Sequence, residues 1–259
     1  MKRHLANIFL GWLESLTGFS TNPHERIRLR VRLYLLREYE PAVCRQIRQL
    51  VRPGMTVVDI GANIGYIVRE LACAVGPAGR VLAFEPNPLV FPILQRNTRR
   101  YPQINILPIA IGARDGELKL RFSPDATGRA SLFAVDATAT ETVAVKVRPL
   151  VQLLHESGIS HVDLLKIDVE GAEFEALSTL VSAPELRPSN IIVEFNPACQ
   201  RAAGHNAADF WKWFTDLGYT IQQIKETGLL PLNALAELEA ASADLGEDQS
   251  LDLLATRRD

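Results

Sequence analysis

The sequence predicts a doubly wound, mostly parallel α/β sheet, and three observations carry that prediction. Five short apolar runs alternate with helical segments between residues 56 and 195, the pattern of parallel strands joined by crossover helices. The first run passes into a glycine turn, Asp59-Ile60-Gly61-Ala62-Asn63-Ile64-Gly65, and then a helix. That is the place where such a sheet binds its ligand. The second run ends on an acid, Glu85, twenty residues after Gly65.

The 259 residues are 47% hydrophobic and 22% charged, enough to bury one sizeable core. We read residues 1–50 as an N-terminal helical extension and 51–259 as a single domain. Lys and Arg number 28 against 30 Asp and Glu, a balance that argues against the basic surface of a nonspecific nucleic-acid binder. No nucleic-acid partner is expected. Cys44, Cys73 and Cys199 are far apart and odd in number, so neither a disulfide framework nor a zinc site is indicated. The start, Met-Lys-Arg-His and then Leu5 to Phe19, has a superficial likeness to a signal peptide, but Glu14 interrupts its apolar run. No stretch reaches the ~18 apolar residues of a membrane-spanning helix. A soluble, cytoplasmic protein is expected.

Leu5, Ile8, Phe9, Trp12, Leu13, Leu16 and Phe19 recur on one helical face, so the first twenty residues should form an amphipathic helix. Its stripe packs on the domain, forms a homo-oligomer contact or lies in a membrane interface; periodicity does not separate these. From Arg26 to Leu33 arginine alternates with apolar residues in a strand-like period, whereas Tyr34 to Glu38 continues as a helix would. Such arginines form a solvated face or grip a ligand's phosphate.

A helix opened by Pro41 and closed by Pro53-Gly54 leads to expected strands at Thr56 to Ile60, Arg80 to Phe84, Ile104 to Ile109, Val162 to Ile167 and Asn190 to Phe195. Between the third and fourth, Glu117 to Phe122 and Thr142 to Val147 alternate around a polar stretch, Ser123 to Thr140. That reads as an inserted β-hairpin. The chain then gives a helix, Ala207 to Leu217, a strand, Tyr219 to Ile224, a polar and alanine-rich passage, and a strand, Leu251 to Ala255. The last two strands suit a hairpin edge on a parallel sheet.

Gly61 and Gly65 let the backbone approach an extended ligand, because a Cβ at either would fill that space or forbid the turn. Glu85 suits the two hydroxyls of a ribose, a device that NAD enzymes share. Asp59 would repel a pyrophosphate but suits the ammonium and sulfonium end of S-adenosylmethionine. Singly, an ordinary strand-to-helix turn explains the glycines, and a carboxylate near a helix start at Pro86-Asn87-Pro88 explains Glu85. In register on two successive strands, the three features point to an adenosyl ligand.

Lys166-Ile167-Asp168-Val169-Glu170-Gly171 ends the fourth strand at the ligand-binding edge, which makes Asp168 the first catalytic candidate. Glu194 and Asn196 end the fifth strand, so Asp168, Glu170, Glu194 and Asn196 converge if those strands are neighbours. Oxygen ligands in that arrangement would suit magnesium, although acids at strand ends also cap helices and hold loops. His155 and His161 flank a short helix and His205 follows Gly204. Surface positions are the default for them, with His205 a reserve general base.

On these residues the chain resembles the FkbM-type methyltransferases. The resemblance runs through Asp59-Ile-Gly-Ala-Asn-Ile-Gly-Tyr66, Ala83-Phe-Glu-Pro86 and Ile109-Ala-Ile-Gly112. Most specific is Asp163-Leu-Leu-Lys-Ile-Asp-Val-Glu-Gly-Ala-Glu173. It covers roughly Glu40 to Ile224 and implies a seven-stranded Rossmann-like methyltransferase sheet whose last strand inserts antiparallel beside the fifth. It implies S-adenosyl-L-methionine as cofactor, with Asp59, Gly61, Asn63 and Gly65 around its methionine part. Glu85, followed by Pro86 and Asn87, would hold the ribose, Ile109 and Ala110 would border the adenine, and Ser131 would lie near the site. The Asn/Asp-Pro-Pro-aromatic block of base-amino methylating enzymes is replaced by Asp168-Val-Glu-Gly171. By that resemblance the expected reaction is O-methylation of a hydroxyl on a small molecule or saccharide acceptor.

Two other readings fit the same turn. An NAD-dependent oxidoreductase shares Glu85 but needs a GxGxxG that the chain lacks. A noncatalytic scaffold would keep the donor fold and recruit partners through the N-terminal helix.

Overall fold

The computed structural model describes residues 2–21, 40–124, 130–131, 140–247 and 249–258. The alternating-arginine segment and most of the polar stretch after Ser123 lie outside the described residues.

The strands β1 (Thr56–Ile60), β2 (Arg80–Phe84), β3 (Ile104–Leu107), β7 (Leu164–Ile167) and β8 (Asn190–Phe195) form the parallel part of the main sheet. β11 (Leu251–Arg257) inserts antiparallel between β8 and β9 (Tyr219–Lys225), and β10 (Gly228–Leu232) closes that edge. The order is β10-β9-β11-β8-β7-β1-β2-β3. The last strand therefore lies beside the fifth parallel one, as the family resemblance implies. The sheet has eight strands rather than seven, because β10 pairs with the outer side of β9. Pro231 disguises β10 in the sequence, and the fold tolerates it because a proline's missing N–H costs little on an edge strand. The polar and alanine-rich passage before the last strand holds a helix, Leu235–Ser242, seated by the buried Leu238.

The inserted hairpin is present as β5 (Gly116–Phe122) and β6 (Glu141–Arg148), paired antiparallel. A two-residue strand, β4 (Ala110–Ile111), joins β6 in parallel and makes this a separate three-stranded sheet. The run expected as one strand to Ile109 thus ends at Leu107, and the chain crosses to the second sheet.

Helices cover both faces of the main sheet. On one, α2 (Pro41–Leu50) and α3 (Tyr66–Val75) bury Val43, Ile47, Ile67, Val68 and Leu71 against Val57, Val81, Leu164 and Ile192. On the other, α5 (Leu150–Glu156), α6 (Glu173–Ser178) and α8 (Ala207–Asp216) bury Leu154, Leu177, Phe210 and Phe214 against Val58, Ile60, Phe84 and Leu165. Two shorter helices complete the elements used below, α4 (Phe91–Thr98) after β2 and α7 (Pro197–Ala202) after β8.

Alternation along the strands has a chemical consequence. Asp59, Lys166, Glu194 and Asp252 fall two positions from Val57, Leu164, Ile192 and Leu254, so all four belong to the α2/α3 face near the carboxyl ends of the parallel strands.

The N-terminal helix α1 (Lys2–Thr17) buries Leu10 and Leu13, with Phe19 beyond its end, against Ile64 and Tyr66. Trp12 and Leu16, assigned to the packing stripe by periodicity, are exposed at 59% and 64%. The apolar residues span more than one face of the helix, so spacing alone did not choose the covered one.

Candidate functional site

The glycine turn is built by contacts between strand ends. Gly61 N and Ala62 N donate to Phe84 O, and Asp168 N donates to Ile60 O, which ties the ends of β1, β2 and β7 together. Gly61 has φ +88°, and a Cβ there would sit 1.8 Å from Asp168 O. Gly65, at φ +86°, would meet Leu94 at 2.6 Å. Gly61 is thus required by neighbouring backbone as well as by the turn, whereas Gly65 is required chiefly by its positive φ, since the Leu94 side chain can shift. Asn63 takes φ +45°, a conformation that asparagine tolerates better than most residues.

Glu85 anchors the turn from β2. Its Oε2 accepts from Asn63 N and its Oε1 from Asn87 N, both at 2.7 Å. Burial pushes the Glu85 carboxyl up to about 7 against the pull of these two hydrogen bonds. Each oxygen keeps a lone pair beyond the bond it accepts, so the carboxylate can still receive ligand hydroxyls.

Asp59 is fully buried, and neither of its oxygens has a hydrogen-bond partner. Burial raises it to about 7; the charge of Lys166, its register partner on β7, works the other way, and the charge of Asp168 raises it further. Asn63 Oδ1 and Asn87 Nδ2 are likewise buried without partners. Buried polar atoms are normally satisfied, so an unsatisfied set on three residues at the ends of the neighbouring strands β1 and β2 fits a ligand with both donors and acceptors. The charge around it fits a cation: Lys166 sits among Asp59, Asp168 and Asp252, and its Nζ lies 3.0 Å from Asp168 Oδ2. A pyrophosphate would meet this row unfavourably.

Asp168, Glu170 and Glu194 are brought together, as expected from their strands. The charge of Asp168, followed by burial and the charge of Glu170, holds Glu194 well above the ordinary carboxyl range. A hydrogen bond with Asp168 raises it further, whereas Ser250 Oγ, donating to Glu194 Oε1 at 2.7 Å, works the other way. Glu170 takes a left-handed φ of +50°, with Cys199 Sγ donating to its carboxylate and Ser131 Oγ to its carbonyl. Ser131 therefore reaches the loop after β7.

The remaining candidates divide. Ile109 packs half-buried against the core, Ala110 begins β4, and Pro86 is half-buried after Glu85. Asn196 caps α7, accepting from Ala198 N and Cys199 N and donating to Glu247 O. That structural duty uses its carbonyl and one amide donor. His155 lies within α5 rather than flanking it, and His161 pairs with Asp163 at 3.2 Å. His205 is engaged by Glu175 at 3.1 Å and stacks on Phe174. Among the described residues, no group of three or more His, Cys, Asp or Glu side chains is arranged to hold a metal ion, so the magnesium considered above has no residue set there.

Sequence reasoning assigned no role to Lys166, Glu173 and Asp252. Strand alternation signals Lys166 and Asp252, since each interrupts an apolar strand on its buried face. Burial, then the charge of Glu40 at the start of α2, raises Asp252 to about 7. Glu173 is buried and receives Val169 N at 3.1 Å, Gly171 N at 3.0 Å and the Gln200 amide, so it holds the loop that carries Asp168 and Glu170. Burial pushes it up to about 7. Glu173→Ala strands these donors, and urea unfolding should register a loss of about 3 kcal/mol. A loss below about 0.5 kcal/mol, the range of an ordinary surface substitution, would remove Glu173 from this role.

A model of the methyltransferase FkbM domain matches residues 59–221. Methyltransferase 1 of Beauveria bassiana is 32% identical over 162 residues, covering 53% of this chain and 63% of that protein. The 31-O-demethyl-FK506 methyltransferase FkbM of Streptomyces tacrolimicus is 30% identical over 174 residues, covering 56% and 66%. The hexuronic acid methyltransferase AglP of Haloferax volcanii is 28% identical over 135 residues, covering 52% and 53%. The matched part spans less than two thirds of the length of each relative. With a matched stretch that opens at Asp59 and takes in Glu85, Lys166, Asp168 and Glu194, the chain belongs to the FkbM methyltransferase domain family.

Proposed function

We propose that the protein is an S-adenosylmethionine-dependent methyltransferase that acts on a hydroxyl group of a small molecule or sugar. The observation that carries this reading is Asp59, a buried carboxylate with both oxygens unpartnered, beside Glu85 and within a matched FkbM domain. S-adenosylmethionine, when bound, supplies a methyl group on a positively charged sulfur. Asp59, Asn63 and Asn87 would hold its methionine and adenosine parts, and Glu85 would accept its ribose hydroxyls. The excess of carboxylates over Lys166 favours positive charge in the crevice.

For an alcohol acceptor the protein must align the oxygen and remove its proton. Asp168, fixed by Lys166, is our candidate to receive that proton, with Glu194 sharing it and Glu170 shaping the loop. Relatives named for a 31-O-demethyl substrate and for a hexuronic acid support a hydroxyl or sugar acceptor.

Titration calorimetry with S-adenosylhomocysteine tests the donor site directly. The wild-type protein should bind it, and Glu85→Ala should weaken binding at least about tenfold through lost charge-assisted hydrogen bonds. A wild-type protein that takes up no S-adenosylhomocysteine or S-adenosylmethionine at millimolar concentration would end this reading. Labelled-methyl transfer to a panel of sugar and polyketide alcohols then identifies the acceptor.

A further inference from the structure

The segment that follows α1 is latched onto the glycine turn. Gly18, at φ +61°, ends the helix and donates from its N–H to Glu14 O, turning the chain across α4. There Asn97, 3% exposed, grips the backbone of Ser20 from both sides. Its Oδ1 accepts from Ser20 N at 2.6 Å, and its Nδ2 donates to Ser20 O at 2.8 Å. The same Nδ2 donates to Ile64 O at 2.7 Å, inside the turn between Asn63 and Gly65. One side chain therefore joins the N-terminal segment to the turn.

A second contact arrives from the other direction. Phe19 meets the ring of Tyr66, the first residue of α3, edge-on at 6.0 Å, and the Arg69 guanidinium lies 5.0 Å over the Phe19 ring. Leu10 and Leu13 close the cluster over Ile64 and Tyr66. The turn is held at Ile64 by a hydrogen bond and at Tyr66 by packing, while Asn63 and Asn87 keep buried, unpartnered atoms.

We propose that the segment through Phe19 and Ser20 is a strap that sets the donor-binding turn, with Asn97 as its positioning residue. The proposal rests on the donor reading given above. A turn already fixed in the free protein loses less freedom when a ligand binds, so the strap strengthens donor affinity without touching the donor.

The test uses the full chain and measures S-adenosylhomocysteine affinity by calorimetry at 20 °C, alongside melting temperatures. Asn97→Asp keeps the bond from Ser20 N but replaces both donated bonds by repulsion, and affinity should fall about tenfold. Phe19→Ala removes the ring contacts without altering Asn97, and affinity should fall about threefold to fivefold. Leu154→Ala, in the core of the opposite face, is the control: it lowers the melting temperature and leaves affinity at the wild-type value. Wild-type affinity in folded Asn97→Asp and Phe19→Ala would overturn the strap, as would an equal loss in Leu154→Ala. Should Asn97→Asp not fold, Phe19→Ala decides alone. Failure of the wild-type protein to bind would instead overturn the donor reading.

Discussion

Asp59→Asn should make the ligand-free protein more stable above pH 7 and at the same time weaken S-adenosylmethionine binding by about a hundredfold. The two effects share one cause. A carboxyl raised from 3.8 to about 7 by burial is a charge held without hydrogen bonds. The folded chain therefore binds a proton that the unfolded chain releases between these values. Stability from this group is fully present below about pH 4 and is lost as pH rises through about 7. The asparagine carries no such penalty, and it should gain on the order of 4 kcal/mol at pH 8 with little gain at pH 4. Glu85 and Glu173, each raised to about 7 by burial, add to the same slope. The wild-type protein should accordingly unfold at lower urea concentration at pH 8 than at pH 5. A variant that is less stable than wild type at pH 8, or one that binds S-adenosylmethionine unchanged, would show that Asp59 is not held in reserve for a cation.

Gly61→Ala should abolish donor binding and destabilise the fold by at least about 3 kcal/mol. A methyl group 1.8 Å from Asp168 O cannot be accommodated by a rotamer change, because its neighbour is backbone. The φ of +88° adds the strain of a side chain in the left-handed region. Relief requires the ends of β1 and β7 to separate, which moves Asp59 and Lys166 out of register together. Gly116→Ala, where a Cβ meets nothing within 4 Å, serves as the matched control. Urea unfolding and calorimetry on the two proteins check this, and equal behaviour would dismiss the close approach as a determinant of the site.

Much of this architecture is legible in one dimension. The runs at Thr56–Ile60, Arg80–Phe84 and Asn190–Phe195 fold as strands with those boundaries because each is a short apolar run with a turn after it. β4 escaped notice because two residues carry no periodicity, and β10 because Pro231 argues against a strand until its edge position is known. The covered face of α1 was legible only in part: Leu13 and Phe19 of the stripe are buried, but Leu10 and Leu16 are equally apolar, and only contact with Ile64 and Tyr66 decides between them.

The site shows the same division. Residue type and spacing alone single out Asp59, the glycines, Glu85 and Asp168, since a strand end followed by a tight turn restricts which residues can stand there. Lys166 and Asp252 acquire meaning only when β7 is laid beside β1 and β11 beside β8, which sets one lysine among acids that lie far apart in the chain. The link from Ser20 through Asn97 to Ile64 joins residues 77 and 33 positions apart. Local pattern fixes what each strand end carries. Which ends meet, and what charge they create together, depends on pairing across the sheet, where the energy lies in contacts that no local window contains.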